Sequence, residues 1–335
     1  MLESEEITKE KVATLPKNET EKEALRLIYD WNAGVSDFCF NTSGSTGKSK
    51  QVSISRRQIA YSTEATFSSI DPSNAIKSSL LCINPKFIGG AMVVFRAIIK
   101  ALNLFIVAPD SNPIASIPDG ERFDLVSMVP LQLEKLSQKD LSRFSIILVG
   151  GASFSHDSLE LPANTQVFLT YGMTETVSHI ALRKIGEPMF QTTGDAVVEI
   201  DVNGCLKIKG SITQNNWLKT HDLARVISPN EFEWIGRKDF IINSGGIKIN
   251  PEKVEKKLSK QIKCPFLVSS KPDRRLGEKL VLLVKKESKK PDVDFSSLHK
   301  HEKPKEVLYW DELVKTQSGK IDRRAIKELL HSQNV

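Results

Sequence analysis

Short apolar runs alternate with stretches of helical spacing through the first half of the chain. Residues 56–70, 89–101 and 131–138 predict helices. The apolar runs are short and several end in Gly, Pro or polar clusters, so they predict buried strands. These runs are SSLLCIN (78–84), LNLFIVAP (102–109), FDLVSMVP (123–130), FSIILVGG (144–151) and TQVFLTYG (165–172). The alternation predicts an α/β domain with a mainly parallel sheet, whose ligands bind at the carboxyl ends of the strands.

The pattern changes after residue 185, where strands and turns dominate. AVVEIDVNGCLKIKG predicts a hairpin that turns at Asn203-Gly204, and ARVISPNEFEWIGR predicts a second hairpin through Pro229-Asn230. The next segment, RKDFIINSGGIKINPEKVEKKL, predicts a strand, a Gly-Gly turn, another strand and a helix that begins at a proline. Strands and helices alternate again in the tail, which indicates a separate α+β domain.

Composition narrows the class of protein. Of 335 residues, 40% are hydrophobic and 26% are charged, as in a globular protein of two or three domains. No apolar run approaches the roughly 20 residues of a membrane span, and the charged N-terminus MLESEEITKEKV is unlike a secretory signal. Four widely spaced cysteines without a CxxC pair indicate neither a zinc site nor a disulfide framework. We expect a cytoplasmic protein with reduced thiols.

Charge is concentrated at one end of the chain. The net charge is +6, yet residues 251–335 alone hold 21 Lys/Arg and 13 Asp/Glu, a surplus of eight positive charges. Such a segment either faces a polyanion or is a solvated, lysine-rich surface. Nucleic acid is the less favoured polyanion, because the lysines are not interleaved with aromatic residues.

The stretch TSGSTGKSK (42–50) is the first candidate for chemistry. It resembles a phosphate loop, but the P-loop of kinases and GTPases requires a glycine where this chain has Thr42. Glycines allow backbone N–H groups to approach phosphate oxygens, and hydroxyls add donors. On its own the stretch is compatible with a phosphate loop of another kind or with a plain turn.

Three further stretches change this interpretation. They are YGMTET (171–176), WLKTHDLARV (217–226) with GRKDFIINSGGIKINPEKVE (236–255), and KTQSGKIDRR (315–324). With the first stretch, and in this order, they resemble the adenylate-forming superfamily: acyl-CoA synthetases, nonribosomal peptide adenylation domains and firefly luciferases. The resemblance covers residues 37–324. It implies an AMP-forming acid–CoA ligase that uses ATP, Mg²⁺ and CoA.

The resemblance also implies a domain organisation. A large N-terminal adenylation domain would cover residues 1–238, with a β-rich subdomain over about 186–238, and a small mobile C-terminal domain would cover 239–335. Only 41 residues precede Thr42, so the N-terminal region is shorter than the family usually has. We nevertheless expect an active enzyme, because the core motifs are present.

Nucleotide binding is assigned by the same resemblance. Lys50 would neutralise the β- and γ-phosphates, although Ser49 replaces the proline that usually precedes this lysine. The turn VGGAS (149–153) would border the adenine. The implied nucleotide-binding residues are Thr42, Ser43, Gly44, Ser45, Thr46, Gly47, Lys50, Gly150, Gly151, Ala152, Tyr171, Gly172, Asp222 and Arg237.

The YGMTET segment combines several implied roles. Tyr171 would stack on adenine, Thr174 would bind the α-phosphate, and Glu175 would coordinate Mg²⁺ as a hard oxygen ligand. Thr174 and Glu175 are thus implied catalytic residues. The alternative is a helix N-terminus, in which Thr174 is the cap and Glu175 meets the dipole.

Asp222 is the implied ribose ligand. It occupies the aspartate position of the family's Thr/Ser-Gly-Asp triplet, although His221 replaces the glycine. A carboxylate can accept hydrogen bonds from both ribose hydroxyls. The competing triplet that ends at Asp195 matches the letters better but lacks the continuation that follows Asp222. Arg237 would hold the ribose from the other side, and Asp239 would be the hinge between the domains.

The last motif contains the implied catalytic lysine, Lys320. Its ammonium would bridge the substrate carboxylate and the α-phosphate, where charge builds in the transition state. In the second half-reaction, Gly245 and Gly246 would line the pantetheine tunnel and so bind CoA.

Within the superfamily the chain is most similar to the o-succinylbenzoate–CoA ligases of menaquinone biosynthesis. The similar segments are YGMTETVSHIA (171–181) and NPKFIGGAMVVFRAI (84–98). Arg96 would then pair with the second carboxylate of the acid, or else be a surface arginine at a helix end. Ser178 and His179 would line the acyl pocket, or else His179 is structural.

Two other functions stay open at this point. A stand-alone adenylation domain would show the same motifs but would load a carrier protein instead of CoA. A non-catalytic nucleotide-binding module is disfavoured, because it has no need of Lys320. The expected partners are therefore a small carboxylic acid, ATP and CoA, with no nucleic acid and no membrane span.

Overall fold

A computed structural model describes residues 17–41, 50–152, 159–259, 261–262, 264–286, 293–316 and 321–332. The helices in these ranges are α1 (Glu19–Asn32), α2 (Arg56–Ile70), α3 (Ile88–Ile99), α4 (Pro130–Leu133), α5 (Gln138–Leu141), α6 (Pro251–Leu258) and α7 (Arg323–Ser332). Within the same ranges, no helix has the length and apolar character needed to cross a membrane.

The strands fall into three sheets. They are β1 (Asp37–Asn41), β2 (Gln51–Ser55), β3 (Ser78–Leu81), β4 (Asn103–Ile106), β5 (Phe123–Met128), β6 (Phe144–Val149), β7 (Gln166–Met173), β8 (Ser178–Lys184), β9 (Phe190–Thr192), β10 (Val197–Ile200), β11 (Cys205–Lys209), β12 (Leu218–Ser228), β13 (Glu231–Arg237), β14 (Ile242–Ser244), β15 (Ile247–Ile249), β16 (Phe266–Asp273), β17 (Gly277–Lys285) and β18 (Glu306–Trp310).

The largest sheet has the strand order β10-β11-β12-β13-β9-β8-β7-β6-β5-β3-β4. Strands β3 to β7 run parallel to their neighbours, whereas β8 returns antiparallel beside β7. The smaller sheets are the antiparallel pair β1-β2 and the path β15-β14-β17-β16, with β18 parallel to β17. The predicted α/β fold, with a parallel core followed by hairpins, is confirmed.

The chain divides into two compact units. The first takes the residues up to Val198 together with Ile208–Leu218 and Ile227–Phe232. The second takes Glu199–Lys207, Lys219–Val226 and the residues from Glu233 onward. The domain boundary at residues 238/239 stays a prediction.

Helices α2 and α3 of the first unit carry side chains that matter below. A capping box begins α2: the Ser55 hydroxyl accepts from the Gln58 N–H at 3.3 Å, and Gln58 Oε1 accepts from the Ser55 N–H at 3.0 Å. Helix α3, IGGAMVVFRAII, is apolar on nearly all sides and is buried from Gly90 to Ala97. Its one basic residue, Arg96, is therefore carried into the interior.

The predicted helix over residues 131–138 is wrong. The chain instead forms two one-turn helices, α4 and α5. Ser137 is the reason, because it caps the second of them. Its hydroxyl accepts from the Asp140 N–H at 3.2 Å, and the Asp140 carboxylate accepts from the Ser137 N–H at 3.0 Å.

A largely buried ion pair joins the helices of the second unit. Glu255 of α6 and Arg323 at the start of α7 form two hydrogen bonds, one of them 2.9 Å from Arg323 Nη1 to Glu255 Oε1. Glu255 Oε1 also accepts from the Val268 N–H at 2.7 Å. Bidentate geometry with an added donor is the arrangement that compensates for burying both charges.

Candidate active site

The backbone conformation of the turn from β7 to β8 is fixed by residues of the turn itself. Val177 and Ser178 have φ angles of 52° and 77°, a left-handed backbone that non-glycine residues rarely adopt. Gly172 is required beside them, because a Cβ there would lie 1.9 Å from the Ser178 carbonyl oxygen. Thr176 is buried, and its hydroxyl accepts from the Met173 N–H at 2.8 Å. The side chains that flank this turn therefore have fixed directions.

Two implied catalytic residues lie in this turn. Thr174 is partly exposed and Glu175 is exposed, and they belong to a single 3₁₀ turn, not to the start of an α-helix. Among the residues that the structure describes, Glu175 has no hydrogen bond or ion pair. The described residues also contain no group of three or more His, Cys, Asp or Glu that could hold a metal. A single exposed carboxylate fits Mg²⁺, which is usually held by one or two carboxylates plus substrate phosphates.

Tyr171 lies in an aromatic cluster. Its ring is buried, with its centroid 5.1 Å from that of Phe232 and 5.9 Å from that of Phe190, both edge to face. These contacts hold the end of β7 against β9 and the β13 hairpin. Stacking of Tyr171 on adenine stays a prediction.

The glycine turn follows β6, beside β7. A Cβ at Gly150 would lie 2.3 Å from Thr170 Oγ1, and Gly151 has φ 90°, so both positions favour glycine. Ala152 is exposed. Because β6 and β7 are parallel, this turn and the Tyr171–Thr176 segment follow the same edge of the sheet. The structure thus brings together two of the implied nucleotide-binding segments.

Arg96 and His179 meet in the interior of the first unit. Both are buried, and both lie within hydrogen-bonding distance of the Thr66 hydroxyl on α2. His179 Nε2 is 3.0 Å from Thr66 Oγ1, and Arg96 Nη2 donates to that oxygen at 3.4 Å. The interpretation of Arg96 as a surface arginine is wrong, because α3 is buried almost all round.

The electrostatics of this cluster are unusual. Burial lowers the pKa of Arg96 to about 10. Burial and then the Arg96 charge lower the pKa of His179 well below its usual value, so that His179 is neutral near pH 7. No carboxylate within the described ranges pairs with Arg96, and its Nε is buried without a partner. A buried charge without a counter-ion is costly, and such a site favours an anionic ligand.

A small cavity of about 10 Å³, with room for about one water molecule, adjoins the cluster. Its lining residues are Tyr61, Ser62, Ala65, His179, Ile180, Thr193, Ala196 and Ile212. Ser178 is partly exposed at the start of β8. His179 both lines this cavity and contacts Thr66, whereas Thr66 and Arg96 are not among the lining residues.

The second unit contains the implied ribose ligands. Asp222 is buried and accepts from Trp234 Nε1 at 3.2 Å, while Arg237 Nη1 is 3.8 Å from its carboxylate. Arg237 Nη2 donates to Asp239 at 2.9 Å, and His221 Nδ1 lies 2.8 Å from the same carboxylate. Burial acts to raise the pKa of Asp239, but the hydrogen bonds from His221 and Arg237 outweigh it and lower the pKa.

Glu252 supports Arg237 from α6. Its Oε2 accepts from the Arg237 backbone N–H at 2.8 Å. Burial raises the pKa of Glu252 to about 7, although the Arg323 charge acts in the opposite direction. This carboxyl therefore changes charge near neutral pH, directly beside the ribose ligands.

The remaining implied residues are less informative. Gly245 and Gly246 form the turn from β14 to β15 with φ angles of 60° and 81°, and the predicted Gly-Gly turn is confirmed. Lys50 is exposed just before β2. The others lie outside the described residues: Thr42, Ser43, Gly44, Ser45, Thr46, Gly47 and Lys320.

Comparisons with known proteins agree with these motifs. The family model described as AMP-binding enzyme matches residues 38–203. A solved structure of an acyl-CoA synthetase (AMP-forming)/AMP-acid ligase II-like protein from Dyadobacter fermentans is 30% identical and has a TM-score of 0.60. The match covers 94% of this chain and 95% of that one. The chain belongs to the AMP-binding enzyme family.

Other members of the AMP-binding family are more distant. The 2-succinylbenzoate–CoA ligase of Listeria monocytogenes serotype 4b is 27% identical over 92% of this chain and 73% of its own length. The o-succinylbenzoate CoA synthetase of Bacillus subtilis, solved in complex with ATP and magnesium ion, is 20% identical, with a TM-score of 0.70. That match covers 86% of this chain and 69% of the solved one, and it shows a shared fold.

Sequence reasoning missed Thr66, Trp234 and Glu252. Each contacts one implied site residue from a different element: Thr66 contacts Arg96, Trp234 contacts Asp222, and Glu252 contacts Arg237. The buried face of α2 carries three polar residues, Ser62, Thr63 and Thr66, so the sequence signal did not single out Thr66.

Proposed function

We propose that this enzyme activates o-succinylbenzoate with ATP and ligates it to CoA. In the first half-reaction, a carboxylate oxygen of the acid attacks the α-phosphorus of ATP, and pyrophosphate leaves with the electrons of the broken P–O bond. In the second, the thiol sulfur of CoA attacks the acyl carbonyl, AMP leaves, and the thiol proton passes to solvent. Both partners of the first step are anions, so positioning and charge neutralisation are the main requirements.

Arg96 is the observation that carries the choice of acid. It is buried with 2% exposure, and the described residues supply no carboxylate to pair with it. An acid with one carboxylate would use that group at the α-phosphorus and leave Arg96 uncompensated. A dicarboxylic acid brings a second anion, whose charge Arg96 would neutralise in a low-dielectric interior. The names of the curated relatives point to the same acid.

The nucleotide would be held mainly by the turn that follows β7. Thr174, partly exposed, would donate its hydroxyl to the α-phosphate. Glu175 would provide the protein ligand to Mg²⁺, which neutralises phosphate charge when bound. Lys50 would lie at the β- and γ-phosphates, and the glycine turn at Gly150 at the adenine.

In the second unit, Asp222 and Arg237 would bind the ribose. Trp234 and Glu252 hold these two residues, by bonds of 3.2 and 2.8 Å respectively. Lys320 would stabilise charge on the carboxylate and α-phosphate, as the resemblance implies. Asp239 would be the hinge between domains at 1–238 and 239–335.

The acceptor is proposed to be CoA. Gly245 and Gly246 would line the path of its pantetheine arm. The surplus of eight positive charges in residues 251–335 suits the phosphates of CoA. If this attraction operates, the KM for CoA rises with salt, and an unchanged KM at low and high salt contradicts it.

Pyrophosphate release with ATP, Mg²⁺ and CoA tests the proposal. The acids to compare are o-succinylbenzoate, benzoate, acetate, a medium-chain fatty acid and several amino acids. We expect release with o-succinylbenzoate alone, and a CoA thioester in the mass spectrum. Release with another acid contradicts the choice of substrate and keeps the reaction class. Adenylate formation without a CoA thioester, but with loading of a phosphopantetheinyl carrier protein, contradicts the choice of acceptor.

A further inference from the structure

We propose that Thr66 is a positioning residue for the acid, which acts through His179 and Arg96. The proposal rests on the proposed function, because it deepens the account of the same acyl pocket. Thr66 lies at the centre of a buried chain of polar groups. Arg96 contacts Thr66, Thr66 contacts His179, and His179 reaches the wall of the cavity.

Within the described residues, Thr66 is the only hydrogen-bonding partner of the Arg96 guanidinium and of the His179 ring. The Arg96 guanidinium makes no other hydrogen bond there, and its Nε has no partner. The Thr66 hydroxyl also lies 2.8 Å from the Ser62 carbonyl oxygen, to which it donates when it does not donate to His179. Ser62 in turn donates to the Val177 carbonyl at 3.1 Å, which ties α2 to the strained turn.

The number of hydrogens explains why a hydroxyl is needed at this position. Thr66 has one O–H and two acceptor lone pairs. When it donates to the Ser62 carbonyl, it accepts from Arg96 and from His179 Nε2–H. When it turns to donate to His179 Nε2, the neutral ring carries its hydrogen on Nδ1 instead. The second arrangement gives up the hydrogen bond to the Ser62 carbonyl and makes His179 Nδ1–H the donor that a carboxylate can use.

A neutral histidine ring carries a hydrogen on only one of its two nitrogens. It can therefore donate to a carboxylate only from that nitrogen. The low pKa of His179 keeps the ring neutral, so a carboxylate needs the tautomer that has its N–H on the ligand side. Only the Thr66 hydroxyl lies within reach of Nε2 to stabilise that tautomer, among the residues that the structure describes. Arg96 adds a fixed positive charge behind it.

Thr63 provides a matched control on the same helix. It is fully buried like Thr66, but its hydroxyl has no hydrogen-bond partner within the described ranges. Thr63→Val and Thr66→Val make the same change of atoms in the same helix. Only Thr66→Val removes hydrogen bonds to Arg96 and His179, and Thr66→Ser keeps the hydroxyl that forms them.

Steady-state kinetics of the full-length enzyme provide the first test. We expect Thr66→Val to raise the KM for o-succinylbenzoate about tenfold or more, because a hydrogen bond to a charged group is lost, and to leave the KM for ATP unchanged. Thr66→Ser and Thr63→Val should remain within about twofold of the wild type. Equal rises in both KM values, or the same effect from Thr63→Val, would overturn the proposal in favour of a packing role.

Nitrogen NMR of the histidine rings provides a readout that does not need turnover. In ¹⁵N-histidine protein, His179→Gln identifies the signals of His179 among the six histidines. We expect Thr66→Val to change the tautomer signature of His179, and Thr63→Val to leave it unchanged. An unchanged signature in Thr66→Val overturns the proposal.

The two proposals can fail separately. If wild-type enzyme releases no pyrophosphate with o-succinylbenzoate, the choice of acid is wrong, and the NMR comparison still decides the role of Thr66. If the wild type accepts the acid and Thr66→Val behaves like the wild type in both experiments, the role of Thr66 is wrong and the proposed function stands.

Discussion

Tyr61 and Asp195 form a reciprocal pair. The Tyr61 hydroxyl donates to the Asp195 carboxylate, and the Asp195 backbone N–H donates to that hydroxyl at 2.7 Å. Ser211 adds its own hydroxyl, 2.6 Å from the same carboxylate. Asp195 ends the triplet that competes with Asp222 as ribose ligand, and its carboxylate is already engaged by three donors in structural contacts.

The two aspartates should therefore respond differently to the same substitution. Asp222→Asn should raise the KM for ATP about tenfold, because an amide offers one acceptor oxygen instead of two for the ribose hydroxyls. Asp195→Asn should lower the free energy of unfolding by about 1–2 kcal/mol and leave the KM for ATP nearly unchanged. The KM for ATP and the urea unfolding of both variants show which aspartate binds the ribose. The opposite pattern would assign the ribose to Asp195.

Arg96→Met should weaken binding of the acid and stabilise the ligand-free protein. Removing a buried charge that has no counter-ion should raise the free energy of unfolding of the ligand-free protein by about 1 kcal/mol or more. The KM for o-succinylbenzoate should rise at least tenfold while the KM for ATP stays constant. Urea unfolding and steady-state kinetics measure the two effects. Parallel rises in both KM values would show that Arg96 does not contact the acid.

Arg183→Met is the control for that experiment. Arg183 is also buried, but it donates to the Glu187 carbonyl and its guanidinium lies 5.4 Å from the centroid of the Phe190 ring. The same substitution should here lower the free energy of unfolding by about 1–3 kcal/mol. A gain in stability for both variants would indicate a general effect of methionine.

The raised pKa of Glu252 predicts that the free energy of unfolding depends on pH. Its pKa is about 7 in the folded protein, raised from 4.5. The folded state then binds the proton more tightly than the unfolded state, so this group lowers stability progressively as pH rises between those two values. Glu252→Gln cannot ionise at this position, so at pH 7 and above it should raise the free energy of unfolding by up to about 3 kcal/mol relative to the wild type. The difference in unfolding free energy between variant and wild type should grow from pH 4.5 to pH 7 and stay constant above it. A difference that does not depend on pH contradicts the raised pKa.

Lys320→Ala should separate the two half-reactions. Pyrophosphate exchange should fall by a factor of about 100 or more, since a charge placed for the transition state is lost. Thioester formation from synthetic acyl-adenylate and CoA should survive. Lys315→Ala, in the same motif, is the control and should affect neither reaction. Equal loss in both halves would remove Lys320 from its assigned role.

Local patterns made most of the fold predictable. Each apolar run from SSLLCIN to TQVFLTYG contains an observed strand, and the turn at Gly204 has the positive φ of 77° that its glycine suggests. The extent of the helix after Pro130 was not predictable from periodicity, because one hydrogen-bonding residue, Ser137, starts a new helix.

The candidate site was predictable only where chemistry resides in a contiguous motif. Asp222, Arg237 and Asp239 lie together in the second unit, and their roles as ribose ligands and hinge stay predictions. The partners that orient them come from distant parts of the chain. Thr66 is 30 residues from Arg96 and 113 from His179. A threonine within a helix has many possible roles, and the contact that selects one is created by folding.

The uncompensated charge of Arg96 has a consequence for the lifetime of the protein. An acid that pairs with this charge binds the folded chain and not the unfolded one, so it stabilises the fold by mass action. Degradation of a marginally stable protein follows the population of its open form. If the proposed acid is correct, a larger supply of that acid lowers the open population and so slows degradation of the enzyme.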